Sequence, residues 1–306
     1  MARVLLTGAG GFVGRPLLDE LLARGHEVHA LDVLPPDRDG GEVRWWQVDL
    51  DDAAGVRELL ERLRPEKLVH MAWYVKHGSF WTSPENVAWV RRSIDLLMAF
   101  VAAGGRRALL AGTCAEYDWG RSAEPFDELR SPLAPATLYG TAKDALRRVA
   151  SGYAEQEGLE LAWGRLFLLY GPREAPGRLV PSVINALLAG EPAETTSGAQ
   201  RRDFMHVADV AGALATVLDS ELSGPVNIAS GQAVPIAEVV RTIAEIAGRP
   251  ELVRLGALPD REGEPELLGA QVRRLREEAG FEPRFGLRDG LQDAVAWWQE
   301  RREAAG

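Results

Sequence analysis

Three residue types at suggestive places could do proton chemistry. Tyr139 and Lys143 lie four apart in "LYGTAK", and on a helix both side chains share one face. An ammonium beside a phenol favours the phenolate, so the tyrosine becomes a better acid and base. Such a phenol can give a proton to a carbonyl, or take one from an alcohol, while hydride moves to or from a nicotinamide. Thr113 ends the apolar run "RALLAGT", and its hydroxyl could hold the same oxygen. The single cysteine, Cys114, follows it directly. No base is evident beside this thiol, so it reads as an ordinary small strand-end residue, not a nucleophile.

A second group of residues could hold the hydride carrier. "LLTGAGGFVGRPLLDELL" sets Gly8, Gly11 and Gly14 between a short apolar strand and a helix, with Phe12 and Val13 inside the turn. Glycines there let the backbone turn tightly and approach a pyrophosphate, whose charge rests on the helix N-terminus. Asp32 ends the next strand, 18 residues past Gly14. A carboxylate at that place accepts hydrogen bonds from ribose hydroxyls and repels a 2′-phosphate, which favours NAD over NADP. Arg38 nearby keeps NADP open. No Gly-Lys-Ser/Thr follows the glycines, so the turn is not the phosphate loop of an NTPase.

The elements that must position these residues alternate. Strands are expected at 3–8, 27–33, 43–50, 67–73, 107–113 and within 159–172. Helices are expected at 14–25, 53–65, 89–105 and 136–158. Buried strands alternating with helices make a parallel, doubly wound α/β sheet. Beyond Pro172 the pattern loosens, with helices at 179–189, 235–248 and 286–302, a strand and helix over 203–220, and a strand at 224–230. This reads as a dinucleotide-binding domain over 1–172, with 205–230 woven into it. A smaller mixed α/β domain takes 173–204 and 231–306.

Composition narrows the classes. With 35 basic and 45 acidic residues the net charge is −10, which argues against nucleic acid as the main partner. No apolar run approaches the roughly 18–20 residues of a membrane span, and the N-terminus carries no secretory pattern. One cysteine excludes an internal disulfide. The five histidines have no metal-ligand spacing. A cytoplasmic protein without metal is the expectation.

Taken together the motifs resemble the extended short-chain dehydrogenases/reductases, a family of nucleotide-sugar epimerases, dehydratases and reductases with a Rossmann-type fold. "TGAGGFVG" resembles the family's glycine motif, and "VDL" the segment whose Asp49, with Leu50, meets the adenine. "VHMAW" resembles the strand end where Met71, Ala72 and Trp73 flank the cofactor. Thr113, Tyr139 and Lys143 fall on the family's catalytic Ser/Thr, Tyr and Lys. "QRRDFMHVADVAGAL" and "REGEP" are similar to segments whose arginines, here Arg202 and Arg261, would hold a nucleoside diphosphate. For the neighbouring Arg201, a solvated surface charge is the expectation. The resemblance also implies a homodimer, formed through the helices at 89–105 and 136–158.

The family's 4,6-dehydratases carry an Asp-Glu pair after the catalytic Ser/Thr. Here Cys114 and Ala115 stand in those places, and the resemblance implies that they line the substrate side instead. If this loop continues the strand, Glu116 need not face the sugar. Two departures stand out: Trp89 replaces the asparagine expected at the head of the long helix, and Leu168 replaces the one before "YGP". The aromatic stretch "WYVKHGSFWTSP" offers apolar faces suited to a 6-deoxy sugar; His77 within it is either an added acid–base group or a solvated loop residue. The sequence thus points to a ketoreductase of an NDP-4-keto-6-deoxyhexose, or alternatively to an NDP-hexose C4 epimerase. A non-catalytic dinucleotide sensor has no need of all three of Thr113, Tyr139 and Lys143.

Overall fold

The computed structural model describes residues 1–33, 43–121 and 123–305; Arg38 lies outside the described residues. In chain order the first part runs β1 (Arg3–Thr7), α1 (Gly14–Ala23), β2 (Glu27–Asp32), β3 (Arg44–Gln47), α2 (Ala53–Leu63), β4 (Lys67–His70), α3 (Glu85–Ala102), β5 (Arg107–Thr113), α4 (Leu138–Glu157), β6 (Glu160–Leu166) and β7 (Leu168–Tyr170). The rest runs α5 (Leu179–Ala189), β8 (Ala193–Thr195), β9 (Arg201–His206), α6 (Val207–Asp219), β10 (Gly224–Ile228), β11 (Ala233–Pro235), α7 (Ile236–Ile246), β12 (Val253–Leu255), β13 (Leu267–Leu268) and α8 (Leu287–Ala305).

Seven strands form one parallel sheet in the order β10-β6-β5-β4-β1-β2-β3. The order reverses between β1 and β4, so their carboxyl ends open a crevice of the kind that takes ligands in doubly wound sheets. β5 is buried at every position, as a strand covered on both faces must be. One face packs on Leu17, Leu21, Val210 and Leu214 of α1 and α6. The other packs on Leu60 of α2, Leu97 and Phe100 of α3, and Leu146 of α4.

The strand expected within 159–172 divides. β6 stays in the main sheet. Past Phe167 the chain enters a smaller mixed sheet, where β7 and β13 lie parallel to β9 and β11 lies antiparallel to it. A third cluster, with Val183, Ile184, Val240, Ile243 and Leu291, packs α5, α7 and α8 together. Among the described residues no helix is long and apolar enough to cross a membrane.

α3 corrects one reading. It starts at Glu85, four residues before Trp89, so an asparagine does stand in its first turn: Asn86. Pro84 immediately precedes it, a helix-start signal available in the sequence.

Candidate active site

The first turn is shaped by backbone that leaves no room for side chains. Gly8 has a φ of 69°, and a Cβ there would lie 2.7 Å from the Ala72 nitrogen. A Cβ on Gly14 would lie 2.8 Å from Ala9 Cα and closer still to the Gly8 carbonyl. Val13 supplies the N-cap of α1 through its backbone, and Phe12 is half-buried beside it. The Gly10 amide donates to Asp32 Oδ2 at 2.9 Å, which fixes the end of β2 against the glycine turn. The result is a cradle of backbone at a helix N-terminus with a carboxylate at its rim, and it fits a dinucleotide. Asp49 is exposed after β3, where its Oδ1 accepts the Asp51 amide at 2.9 Å, and Leu50 is buried behind it.

The end of β4 closes the cradle. His70 is buried, with Nδ1 2.7 Å from Thr7 Oγ1 and Nε2 2.8 Å from Ser93 Oγ. Ser93 spends its own proton on the Trp89 carbonyl, at 2.7 Å. The imidazole must therefore donate through Nε2 and accept through Nδ1, a single neutral tautomer. Burial agrees, since it pushes the His70 pKa down to about 3. The Met71 amide donates to the Thr7 carbonyl at 3.2 Å, and Ala72 follows beside Gly8.

Thr113 ends β5, and Tyr139 and Lys143 lie on the first turns of α4, which packs against that strand. Thr137 caps α4 by accepting the Gly140 amide at 3.1 Å. Gly140 lets this helix end press on the turn after β5, because a Cβ would run into the Ala115 carbonyl. That approach brings the start of α4, with the Tyr139 phenol, up to the end of β5 at Thr113. Lys143 Nζ donates to the Ala111 carbonyl at 2.7 Å and sits 3.8 Å from the centre of the Trp73 ring. Burial lowers its pKa to about 7, although Glu116 opposes the shift. The phenol differs from expectation: burial is the largest influence on Tyr139 and raises its pKa, while the neighbouring Thr113 opposes the shift.

Residues 114–116 do not continue the strand. They form a 3₁₀ turn with a reciprocal cap, in which the Thr113 hydroxyl accepts the Ala115 amide and Glu116 accepts the Thr113 amide at 2.8 Å. Glu116 is wholly buried. It also takes the Trp163 indole N–H at 3.0 Å and the Arg165 Nε at 2.7 Å. Cys114 and Ala115 are buried beside it, and burial pushes the thiol pKa up to about 12, so it stays protonated.

Aromatic rings wall the phenol. Phe80, Trp81 and Trp73 stand edge-on to Tyr139, with centroids at 5.0, 5.7 and 6.5 Å. The Tyr139 amide donates to the Trp81 carbonyl at 3.1 Å. Asn86, which sequence reasoning missed, ties this wall together: its Oδ1 accepts the Trp73 indole N–H at 2.9 Å, and its Nδ2 donates to the Phe80 carbonyl at 2.7 Å. Glu174 and Arg178, in the loop after β7, were also missed. Arg178 lies over the Phe80 ring at 5.4 Å.

The remaining candidates are less concentrated. His77 is exposed, beside Gly177. Arg202 is not the open cation expected. It is buried, its Nη2 is 2.8 Å from Glu264 Oε1, and its Nη1 donates to the Arg201 and Pro265 carbonyls, both at 2.9 Å. A buried guanidinium needs such partners, and Glu264 comes from the same "REGEP" segment as Arg261. Arg261 itself is exposed on its turn. Exposed Arg201 donates to the Ala233 carbonyl at 2.8 Å.

A glycine cradle at the switch point of a parallel sheet, with Thr, Tyr and Lys converging on the next strand end, defines a dinucleotide-dependent class of enzyme. The chain belongs to the NAD dependent epimerase/dehydratase family, whose model matches residues 4–229. It is 30% identical to dTDP-4-dehydro-6-deoxy-D-allose reductase of Streptomyces bikiniensis, over 97% of this chain and 96% of the relative. It superposes on the Thermus thermophilus UDP-glucose 4-epimerase in complex with NAD at a TM-score of 0.85, with 29% identity over 97% of this chain and 99% of that one. It superposes on MoeE5 in complex with UDP-glucuronic acid and NAD at a TM-score of 0.83, with 33% identity over 98% and 99%.

Proposed function

We propose that the chain is a nucleotide-sugar ketoreductase that reduces the carbonyl of an NDP-4-keto-6-deoxyhexose. The observation that carries this reading is the occupation of Glu116. It is the one acid in the turn after Thr113, and it is fully engaged by Arg165, Trp163 and the Thr113 amide. Cys114 and Ala115 supply no acid either, so proton transfer at this strand end rests on Tyr139. Elimination of water across the sugar needs a further acid–base pair that this turn does not offer. The apolar faces of Phe80, Trp81 and Trp73 suit a methyl group at C6 better than a hydroxyl, and the similarity to an allose reductase supports the same reading.

NAD supplies or accepts the hydride when bound. The residues proposed to hold it are Gly8, Gly11, Phe12, Val13 and Gly14 at the pyrophosphate, Asp32 at the ribose, Asp49 and Leu50 at the adenine, and Met71, Ala72 and Trp73 along the far rim. Tyr139 gives its proton to the sugar oxygen, and Thr113 steadies that oxygen. Lys143 holds the helix face against β5 through the Ala111 carbonyl. Arg261, and Arg202 once released from Glu264, would meet the diphosphate. The cofactor part is taken as 1–172 with 205–230, the sugar part as 173–204 with 231–306, and the assembly as a homodimer.

A C4 epimerase is the second reading. One acid–base group serves oxidation and return equally well, and the Thermus epimerase is 29% identical. The test is turnover of a dTDP-4-keto-6-deoxyhexose with NADH. Stoichiometric loss of NADH is expected, and Tyr139→Phe should reduce turnover about 10²–10⁴-fold with unfolding unchanged. Isomerisation of UDP-glucose with no net cofactor oxidation would transfer the reading to the epimerase. No turnover of any nucleotide sugar would end both.

A further inference from the structure

Glu174 is buried, with 8% of its surface exposed, in a loop whose neighbours Arg173 and Ala175 are exposed. Its Oε2 is sealed from water and has no hydrogen-bond partner. Leaving a carboxyl oxygen so placed costs on the order of 1–3 kcal/mol, so Oε2 has capacity for a partner outside the chain. The backbone is bent to hold it there. Arg173, the residue before it, has a φ of 72°, one of two non-glycine residues in the left-handed region among those described.

The loop lies against the aromatic wall of the site. A Cβ on Gly177 would come within 3.0 Å of the His77 ring, Arg178 covers Phe80 at 5.4 Å, and Phe80 meets Tyr139 at 5.0 Å. The Arg178 charge acts on the Tyr139 phenol and on Glu174 alike. The loop that carries the acid therefore borders the aromatic wall of the site, not the glycine cradle.

We propose that Glu174 is a specificity-determining residue whose carboxyl group takes a hydroxyl of the hexose carried by the nucleoside diphosphate. The proposal rests on the nucleotide-sugar reading above and is indifferent to reduction or epimerisation. A carboxyl group kept neutral by its surroundings can both donate to and accept from a sugar hydroxyl. Burial favours that form here, pushing the Glu174 pKa up to about 8.

Calorimetry on the NAD-supplemented protein tests it, with UDP-glucose and dTDP-glucose as probes and UDP and dTDP as their sugarless controls. The wild type should bind each nucleotide sugar more tightly than its nucleotide. Glu174→Leu should weaken the nucleotide sugars about 10-fold or more, with the bare nucleotides and NAD unchanged. Glu174→Gln should bind all of them within about threefold of wild type, because the amide still donates and accepts. Full affinity for the nucleotide sugars in Glu174→Leu overturns the proposal alone. So does an equal loss toward sugar and sugarless ligands, which would mark a structural role. A wild type that binds neither class of ligand overturns the nucleotide-sugar reading and this proposal with it.

Discussion

The turn after β5 and the loop after β7 each bury a glutamate, and they treat it in opposite ways. Glu116 has no exposure, and its two oxygens receive a backbone amide, an indole and a guanidinium. Glu174 is almost as buried, yet its Oε2 receives nothing, and Arg178, whose charge acts on it, lies over an aromatic ring. Burial alone therefore says little about what an acid is for. A satisfied acid holds its own surroundings in place; an unsatisfied one has capacity left for something else. The chemistry follows the same division. The β5 turn fixes Thr113 through Glu116, while the β7 loop leaves its acid available.

The largest effect should come from breaking the satisfied side. Glu116→Ala strands the Arg165 guanidinium, which keeps Tyr117 and the Glu128 carbonyl at 3.2 Å but loses its buried counter-charge. Removing one partner of a buried ion pair costs about 3–5 kcal/mol. Urea unfolding should register that loss at neutral pH. A change below ~1 kcal/mol would mean that Glu116 is as dispensable as the comparison makes Glu174. Replacing both partners by apolar residues should recover much of the stability, since the cost lies in the orphaned charge.

A smaller effect separates the two regions by packing. A Cβ on Gly112 would lie 2.6 Å from Glu116 Oε1 and would overlap the Trp163 indole, both of them fixed in the core. Gly112→Ala should cost about 1–3 kcal/mol, as overpacked cores do. On Gly177 the same atom meets the ring of exposed His77, which can swing aside, so Gly177→Ala should stay within ~1 kcal/mol. Thermal melts of the two variants make the comparison directly. Equal losses would show the loop to be as rigid as the turn.

The sequence yields the first region more readily than the second, for physical reasons. Gly8 and Gly14 announce themselves because a tight strand–helix turn admits no other residue. Tyr139 and Lys143 do so because helical spacing places them on one face. The shape of residues 114–116 was not legible: whether a strand continues or curls into a 3₁₀ turn depends on Arg165 and Trp163, some fifty positions away. Arg202 was legible as a cation near phosphate chemistry, but its closure by Glu264 is tertiary pairing that no local pattern carries. Asn86 was readable in principle from Pro84, had the start of α3 been set by the proline instead of by the apolar run. Glu174 gives no sequence signal at all, since what distinguishes it is a partner it lacks.

The pH dependence of stability tests the asymmetry most directly. The Glu174 pKa is raised in the folded chain from 4.5 to about 8. The native state then binds more protons than the unfolded one between those values, so this group's contribution is full below the unfolded pKa and is lost as pH rises through about 8. Glu174→Gln has no proton to lose. Its stability relative to wild type should climb through that window by at most ~1.4 kcal/mol per pH unit. Every other titrating group cancels in the difference. Urea unfolding of both proteins at pH 5 and pH 8.5 gives the two numbers needed. Glu116→Gln should be less stable than wild type at both. If Glu174→Gln instead loses stability relative to wild type as pH rises, the wild-type carboxylate is paired in solution and the two regions do not differ. If it gains, the chain carries at position 174 a group that weakens its own fold at alkaline pH, as expected of a residue retained for a ligand and not for the core.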